Sequence, residues 1–148
     1  MTGKSILIAM NCSLAKELDE VLGDLTDPQI NFSAPAIDAR PIVDVAIHVH
    51  RPVLAATAII TGREWPARPP WPKTAEALKQ LLTDISQQVN DWIIEADERV
   101  FSRPVELRWG YFNTGYEAMI NSLVHGFIHI GAIRGIRAIG GFPTTPEM

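Results

Sequence analysis

Cysteine is all but missing: Cys12 stands alone among 148 residues. A lone thiol can form no internal disulfide and no Cys-rich zinc site, so a reducing, cytoplasmic setting is the expectation. Its neighbours include no cation other than Lys16, which fits a small packed or half-exposed thiol rather than a reactive one. An excess of positive charge is missing too. With 13 Lys and Arg against 17 Asp and Glu, the formal net charge is −4 and the pI is near 5.5, which argues against a general nucleic-acid binder. No long apolar run is free of polar groups: the most apolar long stretch, 119–139, holds two His and two Arg. The first ten residues lack the pattern of a cleaved signal. Neither a targeting segment nor a membrane span is therefore expected. Internal repeats, low-complexity segments and composition breaks are also lacking. At 47% hydrophobic content the expectation is one domain over residues 1–148, with room for a real core.

What is present is concentrated in residues 113–141, NTGYEAMINSLVHGFIHIGAIRGIRAIGG. Thr114 followed by Glu117 reads as a capping box that opens a helix. Gly140 and Gly141 read as its stop, because glycine takes the left-handed conformation past a helix end without penalty. Between them His125 and His129 stand four residues apart, on one face and within reach of a single ion. Ala118, Asn121, Ser122, Ala132 and Ile136 share that face, and such small or apolar neighbours predict buried imidazoles. Buried ring nitrogens need partners, which a cation supplies.

The rest of the chain predicts three further helices. Leu7, Met10, Leu14, Leu18, Val21 and Leu22 recur at helical spacing over about 4–22, ahead of Gly23. Residues 24–40 show little periodicity and read as a loop. Pro41 suits a first helical position, and the run to Ile60 reads as the second helix. It carries the other two histidines, His48 and His50, which lie about 200° apart on a helix, so at most one can face a shared site. Periodicity does not choose between them. Pro52 cannot donate to the carbonyl of His48, which predicts a bend there. The REWPARPPWPK connection, 63–73, predicts extended polyproline geometry, with Trp65 and Trp71 as lids over the core. Thr74 then caps a third helix, whose stripe runs through Leu78, Leu81, Leu82, Ile85, Val89, Trp92, Ile93 and Ala96. Residues 97–112 read as a loop with one extended piece.

Four helices with Pro-containing connections predict an all-α four-helix bundle, a fold that builds metal sites from facing helices. SLVHGFIHIGAIRGIRAIGG resembles the closing H-x-x-x-H-x-G-x-I pattern of the DinB-like (DinB/YfiT-like) metalloenzymes, and PIVDVAIHVH resembles their early second-helix stretch. The resemblance implies a three-histidine site made of His48, His125 and His129 that holds a divalent ion, zinc or nickel. It departs from the family at His50 and at Ile128, where members often carry a further His. It also implies transfer or hydrolysis chemistry on a small electrophile, with a low-molecular-weight thiol as co-substrate. Three neutral imidazoles leave such an ion with open positions for water or substrate. The sequence argues against a ferritin-type di-iron centre, since Ser122 and Gly126 occupy the places three before His125 and His129. Candidate acid or base groups are Asp44, Asn121 and Tyr116, each with a capping or packing alternative. The competing reading is a non-catalytic homodimeric bundle with a structural or vestigial metal. A homodimer is expected in either case, because Ile120, Leu123, Phe127 and Ile130 make the fourth predicted helix apolar on the side away from its histidines.

Overall fold

The computed structural model describes residues 2–34 and 40–142, and the fold is all-α and mostly helical. Its elements are α1 (Gly3–Leu22), α2 (Asp27–Ile30), α3 (Ile42–Ile60), α4 (Ala75–Glu95), a 3-10 turn (Glu98–Ser102), β1 (Val105–Leu107), β2 (Gly110–Phe112) and α5 (Gly115–Gly140). The helix ends follow local chemistry. Thr2 and Ser5 exchange side-chain-to-backbone hydrogen bonds at the start of α1. The hydroxyls of Thr74 and Thr114 accept from the N–H groups of Ala77 and Glu117. At the far end of α5, Gly141 is left-handed (φ 80°). Its N–H bonds Ala138 while the Phe142 N–H bonds Arg137, which is the bond pair of a Schellman motif.

Three details differ from the sequence expectations. Asp27–Ile30 forms one helical turn inside the expected loop, capped by Thr26 and Gln29, and the Asp27 carboxylate accepts from the Ala75 N–H at the start of α4. Residues 35–39, the remainder of that loop, lie outside the described residues. Pro41 caps α3 instead of opening it, and α3 runs through Pro52 without a break. Residues 97–112 contain a 3-10 turn and an antiparallel hairpin, Val105 paired with Phe112 and Leu107 with Gly110. Arg108 and Trp109 form the tip of that hairpin.

The long helices pack in the cyclic order α1, α4, α3, α5, so α1 lies across from α3 and α4 across from α5. Leu7, Leu14 and Leu18 of α1, Val49 and Val53 of α3, Val89 and Ile93 of α4, and Met119, Leu123 and Ile130 of α5 meet in one core. Because α3 touches neighbours on most sides it is apolar nearly all round. By length and composition alone it could cross a membrane, but 67% of its apolar window is buried inside the protein. The helices α3 and α5 approach closely at Gly126, where a Cβ would fall 2.8 Å from the Val49 carbonyl oxygen and 2.9 Å from Leu14 Cδ2.

One polar group set is sealed into this core. Asn11 of α1 and His50 of α3 are fully buried. The Asn11 amide donates to the Ser86 carbonyl (3.2 Å) and to Asn90 Oδ1 (3.0 Å). This orientation turns its oxygen to His50 Nε2 at 2.8 Å, so that nitrogen carries the proton. Burial holds the His50 pKa down at about 4, and the imidazole is neutral. Asn11→Ala removes the acceptor and orphans a buried N–H. We expect a loss of about 2–3 kcal/mol, measured by urea unfolding at neutral pH. A loss below 0.5 kcal/mol would show that the contact does not hold α1 against α3.

Candidate metal centre

The histidines of α5 flank the α3 contact. Gly126, pressed on Val49, follows directly after His125, and Val49 follows directly after His48. Close packing of the two backbones therefore sets His48 beside the α5 pair. The His125 and His129 rings are 4.4 Å apart, and the His48 ring lies 6.2 Å from His129, each pair nearly edge to face. His125 is exposed and His129 only half-buried, which corrects the expectation of buried imidazoles. Their face of α5 looks out over a cavity edge instead of into the core.

Hydrogen bonds orient each ring. His125 Nε2 and His129 Nε2 are 2.8 Å apart, which requires one of them to donate to the lone pair of the other. His48 Nδ1 is 3.2 Å from the Asp44 carbonyl oxygen and 3.3 Å from its carboxylate. A proton on Nδ1 leaves the Nε2 lone pair outward, where Arg40 Nη1 approaches to 3.4 Å. Arg40 also pairs with Asp44 at 3.7 Å. The His129 pKa is lowered to about 4, by burial first and then by His125, Arg40 and His48. The imidazole stays neutral across the physiological range, with a lone pair to offer.

As a donor set, three imidazoles with Asp44 behind one of them are of a type that suits a divalent ion, because a carboxylate behind a histidine is a common way to orient a ligand. The spacing here is that of hydrogen bonding. Two nitrogens on one tetrahedral zinc are about 3.3 Å apart at bond lengths of 2.0–2.1 Å, longer than the 2.8 Å seen. Among the described residues no group of three or more His, Cys, Asp or Glu side chains is arranged to hold an ion.

The remaining candidates are dispersed. His50 faces α1 beneath Asn11, on the other side of α3 from His48. Tyr116 donates to Glu98 and packs on Phe101, away from the histidines. Asn121 lines a cavity of about 310 Å³ with His125, Ser122, Pro52 and Trp109. Pro52 and Trp109 also line an adjoining cavity of about 220 Å³, which contains His48, Arg51 and Trp65. Trp65 is thus a wall of this cleft, while Trp71 borders a small recess beside His48 and is half exposed. The sequence reading missed Arg40, Arg51 and Trp109, which belong to no motif and meet only through the fold. Comparison with protein-family models, with curated proteins and with solved structures gives no match.

Gly126→Ala tests the geometry. Alanine gains about 1 kcal/mol of helix propensity, but its methyl meets a backbone carbonyl that cannot rotate away, and overpacking costs about 1–3 kcal/mol. We expect a net destabilisation of up to about 2 kcal/mol in thermal unfolding. The variant also moves His48 away from His129, read as the loss of nuclear Overhauser contacts between the two rings.

Proposed function

We propose that the chain is a divalent-metal-dependent enzyme of the DinB-like four-helix-bundle class, with zinc or nickel held by His48, His125 and His129. The observation that supports this reading is the proximity of three imidazoles from helices far apart in sequence, two of which, His48 and His125, line cavities that share Pro52 and Trp109. When bound, the ion would supply Lewis acidity and would lower the pKa of a coordinated water or thiol. Loading requires the hydrogen bond between His125 and His129 to open and the donating ring to carry its proton on Nδ1 instead of Nε2. Arg40 must also turn from His48 Nε2, while Asp44 keeps the ring in place through Nδ1. A protonated imidazole has no lone pair for the ion, so occupancy falls at acid pH, with His129, whose pKa is held at about 4, the last to be lost as a donor as pH drops. A low-molecular-weight thiol is the proposed co-substrate and a small electrophile, by transfer or hydrolysis, the reaction partner.

Protein purified without chelator is expected to carry close to one zinc or nickel per chain by elemental analysis. His125→Ala and His129→Ala each abolish tight binding, and His48→Ala does so while His50→Ala does not. Absence of metal after reconstitution would sink the reading. In a cobalt-substituted sample, a biological thiol adds a charge-transfer band to the visible spectrum. If no thiol does so and no generic ester or amide is hydrolysed, the non-catalytic homodimeric bundle with a structural metal replaces the enzyme.

The dimer has its own support. Leu123 and Ile130 face the core and Phe127 is half-buried, but Ile120, Val124, Ile128 (65% exposed) and Ile139 form an uncovered row on α5. This row lies next to the histidine face, not on the side away from it. Nothing stands within 4 Å of where a Cβ on Gly131 or Gly135 would be, so a second α5 could approach closely along the row. Light scattering at micromolar concentration is expected to give twice the chain mass, and Ile128→Lys to halve it. A monomeric wild type would remove this part of the proposal.

A further inference from the structure

Three guanidinium groups from three segments lie near one another beside the histidines: one lines the cleft, one borders the small recess next to it, and one stacks on the cleft's Trp65 wall. They are Arg51 of α3, Arg68 of the connection that follows it, and Arg108 at the tip of the hairpin. Arg51 stands one turn after His48, and both line the cavity of about 220 Å³. Arg51 Nε is buried with no hydrogen-bond partner among the described residues, and its Nη2 makes one long bond, 3.4 Å, to the Pro66 carbonyl. Burial, then the charges of Arg68 and Arg108, disfavour the cation on Arg51. Among the described residues no carboxylate lies within ion-pair distance of any of the three. Asp44 borders the recess shared by Arg51 and Arg68 but is engaged by Arg40 and His48.

Composition does not explain this. In a chain of net charge −4 carboxylates are in excess, yet these three neighbouring cations have none of the described residues' carboxylates at ion-pair distance. The walls are equally specific. The Arg108 guanidinium lies 4.0 Å above the Trp65 ring, and Trp65 meets Trp109 edge-on at 5.7 Å. Stacking fixes the guanidinium plane and leaves its N–H edges free to donate. Pro52, Ala55 and the two indoles complete an apolar lining. An arrangement of fixed donors, a buried orphan N–H and uncompensated positive charge is completed by an anion with two or more acceptor oxygens.

We propose that this cleft binds a small molecule bearing an oxyanion, a carboxylate or a phosphoryl group, held by Arg51 with Arg68 and Arg108 beside it, and an apolar body packed on Trp65 and Trp109. The inference rests on the metal-dependent reading only in taking this molecule as the substrate, since the anion site itself needs no metal. Its test therefore uses the full chain treated with chelator, so that failure of the metal reading leaves the outcome unaffected. Calorimetric titration with benzoate, phenyl phosphate and the neutral benzamide is expected to show binding of one or both anions and none of benzamide. The tighter anion identifies which oxyanion the site prefers. Arg51→Met, which keeps the packing stem, and the exposed Arg108→Gln each weaken binding at least tenfold, and raising the salt concentration weakens it further. Arg108→Gln also melts at the wild-type temperature, which excludes unfolding as the cause. Equal binding of benzamide, wild-type affinity in both variants, or no binding of either anion would overturn the proposal.

Discussion

The contact on which the site depends is the one between the Gly126 Cα and the Val49 carbonyl. No side chain larger than hydrogen fits there, since a Cβ would come within 2.8 Å of the oxygen, and this absence lets α3 and α5 approach more closely than ordinary side chains allow. His48 and His125 are the residues directly preceding the two contact points. Their proximity is thus a consequence of backbone packing, and any substitution that separates the helices separates the imidazoles as well. Ser122 and Ala118, small and buried, stand one and two turns before Gly126 on the same face of α5.

Two histidines on α3, two residues apart, have opposite fates for the same geometric reason. A rotation of about 200° turns His50 to α1, where Asn11 fixes its tautomer and burial keeps it neutral. His48 turns to α5, where it keeps access to solvent and a carboxylate on its Nδ1 side. The first is a rigid polar contact enclosed by the core. The second can exchange partners, because Arg40 holds its Nε2 only at 3.4 Å and neither group is sealed from water. A ligand position needs that freedom, and a structural one would be weakened by it.

Helix boundaries were the most legible part of the sequence, since they depend on neighbouring residues: Thr74, Thr114 and Gly141 act where their local chemistry says they should. The pairing of His125 with His129 was legible for the same reason. What could not be read was how far each face is covered. The apolar face of α5 was expected to contain Leu123 and Ile130, which instead fill the core, and to be distant from the histidines, whereas the uncovered row adjoins them. Apolar periodicity gives which residues share a face, not which neighbour covers it. The arginines of the cleft were invisible for a further reason. Arg51, Arg68 and Arg108 belong to a helix, an extended connection and a hairpin turn, and no spacing rule links such segments.

The proposed metal position and the proposed anion cleft are a few residues apart, which raises a question of compatibility, because a dication beside His48 and the charge on Arg51 would repel one another. Carboxylate ligands would offset this, but the proposed donor set consists of imidazoles, and Asp44 is already shared between Arg40 and His48. An anion entering the cleft supplies the missing negative charge to both. By linkage, an anion that raises the affinity for the ion has its own affinity raised by the same factor. Occupancy of the two positions would then be coupled through charge alone, with no change of fold required. A substrate that brings its own oxyanion would thereby complete the centre on which it is to react, and a neutral molecule of the same shape would leave the repulsion in place.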